Sequence, residues 1–114
     1  MKKVKITVLR KMFYQDLAES YLTEGKDAGA CPILNEGEVY IYCGQAVMPN
    51  GFCQWAWIDI YRSVMALSSG ATFTPWNNKD NMQIYCCTDG IRPVIFKIEA
   101  LNEKCDPQSP IPSP

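Results

Sequence analysis

Cysteine is the residue with most chemistry to offer in this chain, which holds six of them and no histidine. The commonest general base near neutral pH and the commonest nitrogen ligand for zinc are therefore both missing. Any catalysis or metal binding has to draw on thiol, carboxylate, phenol or amine. Cys53 follows Pro49-Asn50-Gly51-Phe52 and precedes a long apolar stretch of helical spacing. With Asn50 as the helix cap, Cys53 falls in the first turn, where unpaired N–H groups and the positive end of the dipole favour a thiolate. Cys86 and Cys87 are adjacent. In a strand they point to opposite faces, so one of them at most meets a given site unless the backbone bulges. Asp89 and Arg92 follow at once, placing a carboxylate and a guanidinium beside the two thiols. Cys31 precedes Pro32 and is biased to extended geometry. Cys43 closes a short strand pattern and reads as packing, and Cys105 lies in a proline-rich stretch and looks incidental.

Two chemistries fit these positions. In the first, Cys53 is a thiolate nucleophile, Cys86 or Cys87 a resolving thiol, Asp89 a proton carrier and Arg92 an anion or oxyanion partner. In the second, Cys31, Cys53, Cys86 and Cys87 supply four sulfurs, or three with Asp89, to zinc or an iron–sulfur cluster. No C-x-x-C occurs, so a metal site would have to gather single cysteines from distant segments, a weaker signal than paired motifs. Against both stands the plain alternative that these thiols pack as small apolar groups, Cys53 beside Trp55 and Trp57.

The elements that must position these groups follow from periodicity. Val94, Phe96, Ile98 and Ala100 alternate with Ile95, Lys97, Glu99 and Leu101, the pattern of a strand with one covered face. Residues 82–87 read as a preceding strand. A tight hairpin closed at Asp89-Gly90 would set Pro93 opposite Cys86 at a pair that exchanges two backbone hydrogen bonds, and proline has no N–H to give. An irregular loop over 87–93, with pairing from Val94, is the expectation. Val4, Ile6 and Val8 share one face of a first strand, and residues 38–43 form another whose buried face the sequence leaves open. Helices are predicted over 14–23, stopped by a left-handed Gly25, and over 54–69, stopped by Gly70. Asp59 and Arg62, one turn apart, are expected to be solvent-facing or paired with each other.

The sum is a small α+β single domain over residues 1–101, a mostly antiparallel sheet with two helices packed on one side. Residues 102–114, with prolines at 107, 110, 112 and 114, are expected to form a free extended tail. With 11 basic and 12 acidic residues and no basic run, the chain lacks the charge footprint of a nucleic-acid or anionic-membrane binder. Its apolar runs are too short for a membrane span. Residues 1–12 alternate lysine with aliphatics and lack the apolar core of a secretory signal, so a reducing, cytoplasmic setting with free thiols is expected.

Cys31-Pro32, Gly51-Phe52-Cys53-Gln54-Trp55-Ala56-Trp57 and Cys86-Cys87-Thr88-Asp89-Gly90 with Arg92-Pro93-Val94 together resemble an uncharacterised family of small cysteine-containing proteins from anaerobic bacteria and archaea. The resemblance spans most of residues 2–101. It implies that Cys31, Cys53, Cys86 and Cys87 belong to a shared pattern while Cys43 and Cys105 do not, and it carries no activity. Three functional readings result: a domain binding a small molecule or metal through a converged cysteine pocket, a cysteine-dependent enzyme, and an accessory module or homo-oligomer presenting Trp76 and tyrosines to a partner.

Overall fold

The computed structural model describes residues 1–105. Its elements run β1 (Lys2–Lys11), α1 (Gln15–Tyr21), a short 3-10 turn (Glu24–Asp27), β2 (Val39–Tyr42), α2 (Gln54–Ser68), β3 (Met82–Cys86) and β4 (Val94–Lys104). The four strands form one antiparallel sheet in the order β2-β1-β4-β3. The first and last strands are thus central. This is a small α+β fold.

Alternation sets the covered face. Val4, Ile6 and Val8 of β1 and Val94, Phe96, Ile98 and Ala100 of β4 are all buried, and their neighbours in sequence are not. In β2 the tyrosine side is the one turned inward: Tyr42 is fully buried, whereas Val39 and Ile41 lie exposed on the outer face. A phenol goes inside because its hydroxyl finds partners, accepting the Ala46 N–H at 3.0 Å and reaching Met65 Sδ at 3.2 Å. Its ring joins Trp57, Phe52 and Phe96 in a chain of aromatic contacts between helix and sheet.

The connection from β2 to β3 has to travel from one edge of the sheet to the other, and α2 makes that journey across the covered face, packing on β1, β3 and β4. Ala56, Trp57, Ile60, Val64 and Leu67 face the sheet. Full burial of an aliphatic side chain of this size stabilises by about 1.5–3 kcal/mol. Ser68 Oγ donates to the Lys2 carbonyl at 2.6 Å and fastens the end of α2 to β1. Gly70 follows with φ 97°, the left-handed stop its position predicts.

Several boundaries differ from the sequence reading. The 14–23 pattern yields only Gln15–Tyr21, of which Ala18 is buried while Leu17 and Tyr21 are exposed, and the main contacts of α1 are with the 3-10 turn. Gly25 sits inside that turn without a positive φ, because the helix ends at Tyr21, two residues short of the expected 23, and Leu22 is already extended. Strand β4 continues beyond 101 to Lys104, which pairs with Lys2, and the Cys105 N–H donates to the Met1 carbonyl at 3.0 Å. The body of the protein therefore includes residues first assigned to the tail. The rest of the expected tail, 106–114, lies outside the described residues.

Candidate functional site

The loop between β3 and β4 is built around what proline cannot do. Pairing ends with Cys86 opposite Ile95, and the chain leaves the ladder over residues 87–93 as the buried Pro93 requires. Cys87 N–H still donates to the Val94 carbonyl at 3.1 Å, but Val94 N–H donates to the Cys87 sulfur at 3.4 Å. Asp89 organises the rest. One carboxylate oxygen accepts the Ile91 and Arg92 N–H groups, both at 3.0 Å, and the other accepts Arg92 Nε at 2.9 Å. That is an aspartate-closed turn with an ion pair added, and Gly90 needs no positive φ within it. Tyr14 N–H to Ile91 O at 2.8 Å and Met12 N–H to Pro93 O at 3.0 Å sew the loop to the end of β1.

The start of α2 differs from expectation. Pro49, Asn50, Gly51 and Phe52 form a type II turn, closed by Phe52 N–H to Pro49 O at 3.2 Å, with Gly51 at φ 79°. Asn50 therefore sits in the turn, exposed, and does not cap the helix. Cys53 itself is the N-cap residue, extended at φ −77° and ψ 123°, and its side chain makes no capping bond. Its half-buried thiol is left to the space in front of the helix. Cys31 arrives from the 28–38 loop, held by the fully buried Leu34 and by the reciprocal bonds Val8 N–H to Glu38 O and Gly37 N–H to Val8 O.

These three segments enclose a cavity of about 200 Å³ lined by Cys31, Ile33, Leu34, Cys53, Trp55, Ala56, Cys87, Asp89, Arg92 and Val94. Five of the six site residues singled out in the sequence share this wall. The sixth, Cys86, does not line it. It is exposed on the strand, as alternation with the buried Cys87 dictates, and its thiol donates to the Cys87 carbonyl at 3.1 Å. Partial burial of its sulfur, then the neighbouring Cys87 and Asp59, push the Cys86 thiol up from its ordinary value. Between the two adjacent cysteines, Cys87 is the one that shares the cavity wall with Cys53.

The proton-carrier role drawn for Asp89 does not match its surroundings. Burial alone would raise its pKa, but the backbone and side-chain bonds from Arg92 and the bond from Ile91 outweigh that and hold the carboxyl below its usual range. It is an ionised anchor that fixes Arg92. Among the described residues, no acceptor is bonded to the two terminal guanidinium nitrogens of Arg92, whose side chain is 38% exposed. A second concavity of about 270 Å³, lined by Leu22, Gly25, Ala28, Asp89, Ile91 and Arg92, shares the Asp89–Arg92 pair.

Asp59 is a residue that sequence reasoning placed wrongly. Expected to face solvent or pair with Arg62, it is half-buried and its carboxylate accepts the Thr88 N–H at 2.9 Å and the Thr88 hydroxyl at 3.1 Å. The Thr88 hydroxyl in turn accepts Trp55 Nε1 at 3.0 Å. One turn of α2 thereby holds the cavity loop from outside. The helical spacing of Asp59 and Arg62 masked this, and the Thr88 to which it binds carries no signal of its own.

The metal reading finds less in this geometry. Among the described residues, no three cysteine, aspartate or glutamate side chains stand in the arrangement a metal ion needs, Cys31, Cys53, Cys86 and Cys87 included. Cys86 points away from the other three for the reason already given. No helix among the described residues is long and apolar enough to cross a membrane. Comparison with protein-family models, with curated proteins and with solved structures finds no match.

Proposed function

We propose that the protein binds a small organic molecule in the thiol-lined cavity, with Arg92 taking an anionic group and Cys53, Cys87 and Cys31 meeting its body. One observation carries this reading: residues from three segments far apart in sequence, Cys31, Cys53 and the 87–92 loop, line the same cavity, where a carboxylate anchor already fixes a guanidinium. The walls are otherwise apolar, from Leu34, Ala56, Val94 and the Trp55 ring. Pockets of that kind, apolar with a few convergent polar groups, are the usual form of a small-molecule site. The cavity holds only a handful of heavy atoms, so a short carboxylate or similar small anion is the ligand class.

A thiol enzyme is the second reading, and the position of Cys53 favours it. A thiol at a helix N-cap, free of any capping bond and facing a cavity with a guanidinium, has the surroundings of a nucleophile. In that version Cys87 is the resolving partner. The shared proposal is tested by NMR of 15N-labelled protein titrated with a panel of short aliphatic and aromatic carboxylates. Saturable shifts at Cys53, Cys87, the Trp55 indole and Arg92, with Trp76 unmoved, support it. Shifts confined to surface residues, or none from any carboxylate, contradict it.

A further inference from the structure

Cys43 and Cys105, which the sequence reading set aside as packing and tail, lie outside the cavity and near each other. Cys43 directly follows β2 and leads into Gly44, Gln45 and Ala46 at φ 87°, 62° and 58°. Three left-handed residues in succession are rare, and the conformation costs roughly 1–2 kcal/mol at each non-glycine. The turn is held by Ala46 N–H to the buried Tyr42 hydroxyl at 3.0 Å. Its effect is to bring the chain at Gly44 against Cys105: a Cβ on Gly44 would lie 3.5 Å from the Cys105 Cβ and 3.8 Å from its sulfur. Cys105 is itself pinned, its N–H bonded to the Met1 carbonyl. Both thiols are half-buried. Since Gly44 is bonded to Cys43, that approach brings Cys43 beside Cys105, and the Cys105 thiol is pushed up to about 11, by burial first and then by the neighbouring Cys43.

We propose that Cys43 and Cys105 are a reversible dithiol–disulfide couple, joining the end of edge strand β2 to the end of central strand β4 beside the start of β1. The reaction partner is a low-molecular-weight disulfide such as oxidised glutathione. The Cys43 thiolate, having lost its proton to solvent, attacks one sulfur of that disulfide, its S–S bond breaks, and one reduced glutathione leaves as a thiolate that takes up a proton. The Cys105 sulfur, after giving up its proton, then attacks the mixed disulfide at Cys43, and the second reduced glutathione leaves. The protein loses two protons and two electrons, and the small disulfide gains both. Closing so long a loop restricts the unfolded chain, so the oxidised form is the more stable.

The test is incubation of the full-length, reduced protein with oxidised glutathione without oxygen, followed by disulfide mapping and thermal melts. The expected product is an internal Cys43–Cys105 bond, with Cys31, Cys53, Cys86 and Cys87 still open to alkylation after unfolding. Its melting temperature should rise by about 10 °C, fall back on reduction, and stay unchanged by glutathione in C43S. If C43S folds poorly, C105S serves, since Cys105 lies at the end of β4 outside the core. Glutathione left attached to Cys43 or Cys105, a bond between any other pair, or an internal bond that lowers the melting temperature would overturn the proposal.

Discussion

Asp59 on α2 and Thr88 in the β3–β4 loop are joined by two hydrogen bonds, the Asp59 carboxylate accepting both the backbone N–H and the hydroxyl of Thr88. Cys87, the buried thiol of the cavity, is the residue immediately before Thr88. A polar tie on the outer surface of the helix therefore sets how far the loop can lift from the thiols beneath it.

Asp59→Ala should cost about 1.5 kcal/mol, the low end for hydrogen bonds to a charged group because Thr88 is exposed and water can replace the lost partner. The larger effect should be local. Alkylation of Cys87 in the native protein should speed up several-fold while that of Cys86, already exposed, should not change. Mass mapping after brief exposure to iodoacetamide reads both rates, and equal rates in the variant and parent would show that the tie does not govern the loop.

Acid should loosen the same loop through Asp89. Its folded pKa lies below the ordinary 3.8, so over the interval between those two values the unfolded chain binds more protons than the folded one. The contribution of Asp89 is accordingly present in full above 3.8 and is lost as pH falls through the folded value. Asp89→Asn should lower stability at neutral pH and flatten the acid limb of the stability curve. Urea midpoints measured from neutral pH down through the carboxylate range give the answer, and parallel acid limbs would count against the assignment.

Shortening the chain distinguishes strand from tail. A chain ending at Cys105 keeps the Lys2–Lys104 pair and the Cys105 to Met1 bond, whereas one ending at Asn102 loses both. The second should melt several degrees below the first, since about 1 kcal/mol is worth roughly 4–8 °C in a domain of this size. Equal melts would mean that the last residues of β4 contribute nothing.

Much of the fold was legible because strands with one covered face must alternate, as Val4 to Val8 and Val94 to Ala100 do, and because Pro93 cannot join a ladder, which places the loop. What was not legible depends on tertiary partners. Asn50-Gly51 offers a helix cap and a type II turn equally well, and the turn won because Gly51 accepts positive φ there. Tyr42 turned inward on the strength of partners at Ala46 and Met65, and Leu17 and Tyr21 turned outward because α1 finds no strand to cover it. Asp59, Cys43 and Cys105 escaped for one reason: their partners lie tens of residues away in sequence, where no local pattern reaches.

The central claim, a cavity whose thiols stand beside an anion-receiving Arg92, is tested most directly by the charge of an alkylating agent. Iodoacetate and iodoacetamide differ little in size but only the first is an anion, so the ratio of their rates at each mapped cysteine reports the local welcome for negative charge. The account predicts that this ratio is higher at Cys53 and Cys87 than at Cys86, and that Arg92→Gln lowers it about tenfold at those two sites, equivalent to a charged contact of about 1.4 kcal/mol. Equal ratios at all three cysteines, unchanged by Arg92→Gln, would contradict it.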